Sequence, residues 1–80
     1  MLDKTTTLDM LALGESATIK KVNGKGALHR RLLDLGFTSG TSIQMIRPSP
    51  LGDPIEYKLR GYSLTLRKSE GRSVEIEINS

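Results

Sequence analysis

The sequence predicts a mainly β domain: a small, partly open barrel of about five short strands with one inserted α-helix. Two patterns carry this reading. From Gly40 onward apolar and polar residues alternate in short stretches separated by Gly and Pro. Before that, Leu28, Leu32 and Leu35 repeat at helical spacing over one segment. Length supplies a third observation. A chain of 80 residues that is 36% apolar has room for one core and no second.

Residues 1–6 are polar and expected to fray. Thr7 is placed to cap a short N-terminal helical turn over Leu8-Asp9-Met10-Leu11, a plug on the core. Ala17–Val22 reads as the first strand, with Ala17 and Ile19 inward and Val22 following a bend. Asn23-Gly24-Lys25-Gly26 breaks it. The helix occupies about residues 25–35, with the apolar stripe on one side and Leu33 widening it. Gly36 stands where a left-handed residue ends a helix, and Phe37 can pack back on the cap.

Thr41–Arg47 is the next strand, with Ile43 and Met45 on one face. Pro48 to Pro54 reads as a loop that cannot pair in a sheet. A hairpin follows. Ile55, Tyr57 and Leu59 alternate with Glu56, Lys58 and Arg60; Leu64 and Leu66 alternate with Ser63, Thr65 and Arg67. With Gly61-Tyr62 as a two-residue turn, Leu59 faces Leu64, Tyr57 faces Leu66 and Glu56 faces Arg67. Ser69-Glu70-Gly71 is the next turn. Val74, Ile76 and Ile78 form a closing strand, with Glu75 and Glu77 as a solubilising edge.

Composition removes several functions. With 0 cysteines there is no disulfide, thiolate nucleophile or Cys-based metal centre, which fits a reducing compartment. No apolar run approaches the roughly 20 residues that span a membrane, and the N-terminus lacks a signal-type apolar region. Lys and Arg number 12 against 9 Asp and Glu, a net +3. The basic residues are spread along the chain, with no run of five or six like charges. That distribution and the few aromatics, Phe37, Tyr57 and Tyr62, argue against specific nucleic-acid binding.

No chemical site assembles from the motifs. Asn23-Gly24-Lys25-Gly26 lacks the length and the following Ser or Thr of a phosphate loop. His29 stands alone among strong metal ligands, five positions from Asp34, so no metal site is expected. No nucleophile, base and orienting group can be named, so neither catalysis nor a cofactor is expected. Two features suit recognition instead. Arg30 and Arg31, beside His29, offer planar donors on the helix. The proline-stiffened loop carries apolar Leu51 and acidic Asp53.

Taken together, Leu13-Gly14-Glu15, Arg31-Leu32-Leu33-Asp34-Leu35-Gly36-Phe37 with Gly40-Thr41, Pro50-Leu51-Gly52-Asp53-Pro54-Ile55, and Arg60-Gly61-Tyr62 with Leu66-Arg67-Lys68 resemble the ferrous iron transport protein A (FeoA) family. The resemblance runs from about Leu8 to Ile78, as a single domain. It departs at Gly71, where the family commonly has alanine. It implies an SH3-like barrel. It also implies a cytoplasmic accessory or regulatory protein, peripheral at the inner membrane through its partner. That partner would be a membrane ferrous-iron transporter with a GTP-binding domain, and the mode protein–protein interaction. On that reading His29, Arg30, Arg31, Leu51 and Asp53 are the expected partner-binding residues. The alternatives are a small basic barrel that binds nucleic acid or serves as a transcription-regulator module, and an arginine donor to a GTPase through Arg30, Arg31 or Arg47.

Overall fold

The computed structural model describes residues 5–79. Along them run β1 (Thr5–Thr7), a 3₁₀ turn (Leu8–Met10), β2 (Ser16–Val22), α1 (Ala27–Asp34), β3 (Ser42–Pro48), β4 (Ile55–Leu59), β5 (Tyr62–Leu66), α2 (Lys68–Gly71) and β6 (Val74–Ile78). The strands form one antiparallel sheet in the order β1-β6-β2-β3-β4-β5. The sheet curls until the Tyr57 hydroxyl on β4 donates to the Leu8 carbonyl just past β1, at 3.4 Å. Below that contact, Gly71 of α2 lies so close to the 3₁₀ turn that a Cβ there would sit 3.3 Å from the Asp9 nitrogen. The result is an open barrel, bridged at one end by α2 and the 3₁₀ turn.

Alternation along the strands explains the core. Ala17 and Ile19, Ile43 and Met45, Ile55, Tyr57 and Leu59, and Val74 and Ile76 all point inward and are buried. A bulge between Ile19 and Lys21 shifts the register against β6 and turns Val22 inward as well. Leu8 and Leu11 plug the core from the N-terminal side.

On α1, Leu32 is fully buried, while Leu28 and Leu35 are half-buried against the core. The helix ends as its sequence predicts. Phe37 N–H donates to the Leu32 carbonyl and Gly36 N–H to the Leu33 carbonyl, both at 3.0 Å, with Gly36 at φ 102°. These paired bonds require a left-handed residue, and Phe37 then drops into the core.

Several expectations are corrected. There are six strands among the described residues, because Thr5 and Thr6, expected to fray, and Thr7, expected to cap a turn, pair with Glu75–Glu77. Residues 1–4 of the expected frayed segment lie outside the described residues. Thr7 caps nothing with its side chain; its hydroxyl donates to the Asp9 carboxylate. Leu33 does not widen the buried stripe, being 41% exposed, because the helix rests on one side only. Pro48 does pair, opposite Ile55, at the end of β3 where a residue lacking N–H is tolerated. Ser69-Glu70-Gly71 belongs to a short helix, α2, not a simple turn. β6 lies between β1 and β2, so Glu75 and Glu77 cover an interior strand, not an edge.

The hairpin register moves by two residues. Tyr57 faces Leu64 and Leu59 faces Tyr62, with Arg60-Gly61 as the turn. Both turn residues have positive φ, 50° at Arg60 and 86° at Gly61, which is the type I′ geometry that matches strand twist. A shift of two preserves which side chains face inward, so the core is unchanged. The expected Glu56–Arg67 pair does not form. Glu56 faces Thr65 and bonds instead to Arg47 on β3, at 3.1 Å.

Candidate functional site

The two segments singled out for recognition are both tied to α2. From α1, Arg31 Nη2 donates to Glu70 Oε2 at 2.8 Å. From the proline loop, Asp53 Oδ1 accepts the Lys68 N–H at 2.9 Å. Glu70 also reaches back within its own helix, its Oε1 accepting the Arg67 N–H at 2.9 Å. This bond, the largest influence, holds the Glu70 carboxyl below its usual range; burial opposes it, and the Arg31 guanidinium lowers it further. The α2 segment is therefore the clip between helix and loop. Sequence reasoning missed it because four residues are too few to show helical periodicity; the Arg67-to-Glu70 spacing was the available signal.

The five expected partner-binding residues therefore differ in what they leave free. Arg31 and Asp53 already hold internal partners. Arg30 is exposed and makes no ion pair among the described residues. His29 is half-buried, and its Nδ1 is shielded without a hydrogen-bond partner among the described residues. Leu51 is 96% exposed at the loop tip. The loop that presents it is held by Ser49 N–H donating to the Pro54 carbonyl at 2.9 Å and Gly52 N–H to the Ser49 carbonyl at 2.7 Å. The bond between Asp53 and Pro54 is cis.

Behind this loop lies a shallow concavity of about 400 Å³. Pro48, Pro50 and Pro54 form its wall, and Arg47, Glu56 and Thr65 its floor, on the outer face of β3, β4 and β5. Ser49 also lines it, with a hydroxyl that is shielded and has no partner among the described residues.

The charge is less evenly spread than the sequence reading allowed. Residues 55–68, the β4–β5 hairpin and its flank, hold Lys58, Arg60, Arg67 and Lys68 against Glu56 alone. That is the whole net +3 of the chain. No ion pair engages any of these four among the described residues; Arg60 Nη2 instead donates to Thr41 Oγ1 at 3.0 Å. No group of three or more potential metal ligands gathers among the described residues.

Comparison with known proteins agrees with this architecture. The FeoA domain family matches residues 6–78. The chain is 34% identical over 73 residues to an Fe(2+) transport protein A/Fe(2+) transporter FeoB fusion protein of Porphyromonas gingivalis. That match covers 91% of this chain, which spans only 9% of the length of that relative. Among solved structures, a FeoA-like protein from Clostridium acetobutylicum superposes with a TM-score of 0.88 at 32% identity, over 99% of this chain and 92% of that one. FeoA of Stenotrophomonas maltophilia, solved with zinc and described as a procaryotic SH3 domain protein, superposes at 0.78 with 31% identity, over 92% and 89%. An SH3-like open barrel, a family match over nearly the whole chain and a relative of this identity lead to one conclusion: this chain belongs to the FeoA family.

Proposed function

We propose that this chain is an accessory protein of a ferrous-iron uptake system, acting by direct contact with the transporter at its GTP-binding side. Family membership links the chain to ferrous iron transport. The observation that carries the finer reading is the fusion in Porphyromonas gingivalis, where an FeoA-like segment and an FeoB transporter share one chain. Fusion converts an encounter between two proteins into an intramolecular one at high effective concentration, which is useful when the two must touch. No helix among the described residues is long and apolar enough to cross a membrane, in keeping with a protein that reaches the membrane through its partner. The reading gives this chain no chemistry of its own.

His29, Arg30 and Leu51 are the contact residues this reading favours; Arg31 and Asp53 support them by fixing α1 and the loop to α2. The test is uptake of radiolabelled ferrous iron by cells that carry the transporter and lack their own copy of this protein. The parent chain should restore uptake. Leu51→Ala and Arg30→Glu should restore less while melting normally. Arg31→Glu is a poorer probe, since it also breaks the bond to Glu70. Full uptake without this chain, or with both variants, overturns the reading.

A further inference from the structure

The sheet has two ends, and the β5 end is unguarded. Among the described residues β5 pairs only with β4. Behind a two-residue turn, Tyr62, Leu64 and Leu66 take the bonded positions against β4, and Ser63 and Thr65 direct their backbone N–H and C=O groups outward. Among the described residues no bond to these outward groups is found. Exposed edges are commonly blunted by a charge or a proline within the strand. Tyr62-Ser63-Leu64-Thr65-Leu66 contains neither.

Two further facts limit what such an edge can accept. The charge around it is mostly positive; the one acid, Glu56 opposite Thr65, is paired with Arg47. Lys58 stands opposite Ser63, Arg60 forms the turn, and Arg67 and Lys68 follow the strand, so with Glu56 counted against them these residues carry the net +3 of the chain. Thr65, one of the two outward residues of the rail, also lines the proline-walled concavity with its partnerless Ser49 hydroxyl.

We propose that the β5 edge is a docking rail for an extended acidic segment of a partner protein, added as a further strand. The outward groups of Ser63 and Thr65 supply main-chain hydrogen bonds, and the basic flank selects acidic side chains. The concavity takes an uncharged side chain beside Thr65. A disordered cationic patch would attract nucleic acid equally well. The geometry here favours a peptide, since the rail offers strand-pairing groups and only Tyr62 as an exposed aromatic. The inference does not require the partner to be the transporter.

The probe is a short, acetylated, fluorescent peptide alternating glutamate and valine, titrated into the full chain and followed by anisotropy and amide exchange. Binding should be saturable and weaken with salt. The Ser63 and Thr65 amides should gain protection while that of Leu64, already bonded to β4, changes little. Thr65→Pro removes an outward N–H without touching the β4 ladder and should weaken binding by about threefold to tenfold. If that variant does not fold, Lys58→Glu carries the test through charge and should weaken binding about as much. An N-methylated form of the peptide should not bind. The proposal is overturned by absence of binding, or by equal binding of the N-methylated peptide or of single-stranded DNA with Ser63 and Thr65 unprotected. It is also overturned if those amides become protected by raising protein concentration alone, which would assign the edge to a second copy.

Discussion

Arg31 and Glu70 lie 39 positions apart in sequence, yet their side chains meet at 2.8 Å and join α1 to α2. The same carboxylate caps α2 by accepting the Arg67 N–H. One glutamate thus serves both local and tertiary order, and the two roles can be separated.

Glu70→Gln should keep the cap, since an amide oxygen can accept the Arg67 N–H, and lose the charge attraction, costing about 0.3–1 kcal/mol. Glu70→Ala should lose both and cost about 1–2 kcal/mol. The Glu70 pKa is lower folded than unfolded, so its contribution is present above the unfolded value and lost as pH falls through the folded one. Thermal melts across the acid range should therefore show a shallower loss of stability in Glu70→Gln than in the parent.

Tyr57 is buried, and burial first, then the charges of Asp9 and Asp53, push its phenol up from 10.0 to about 12. The folded state resists ionisation that the unfolded state permits. Stability from this group is complete below pH 10 and falls as pH rises towards 12. Tyr57→Phe should flatten that alkaline decline. At neutral pH it should cost about 0.5–1.5 kcal/mol for the lost bond to the Leu8 carbonyl. Denaturant titrations at neutral and alkaline pH distinguish the two effects.

Gly61→Val should destabilise by about 1–3 kcal/mol, because a β-branched residue is forced to φ 86°. Space is not the cause, as nothing lies within 4 Å of a Cβ at that position. Gly61→Asn, which tolerates the left-handed region, should cost less. Denaturation midpoints of the two variants give the comparison.

Leu32→Ala should cost about 2–5 kcal/mol, since Leu32 is fully buried beneath α1. Leu33→Ala, on the exposed side of the same helix, should cost well under half as much. A melt of the pair tests which face of α1 holds it to the barrel.

The sequence by itself determined which strand side chains face the core. Period-two alternation places Ile55, Tyr57 and Leu59 inside whatever strand they pair with, and the Leu32-to-Phe37 cap follows from Gly36 alone. The hairpin shows where that reasoning stops. Shifting its register by two leaves every side chain on its own face, so burial cannot distinguish Gly61-Tyr62 from Arg60-Gly61 as the turn. The choice falls to backbone twist, and in the turn observed the Arg60 guanidinium reaches Thr41. Tertiary structure alone decided β1, whose Thr5-Thr6-Thr7 has no apolar face to reveal it and is a strand because β6 offers it an edge. It also decided that Arg31 and Asp53 converge on α2, while Arg30 and Leu51 stay exposed. Contacts between residues far apart in sequence leave no periodic trace; they exist because closing the barrel brings their elements together.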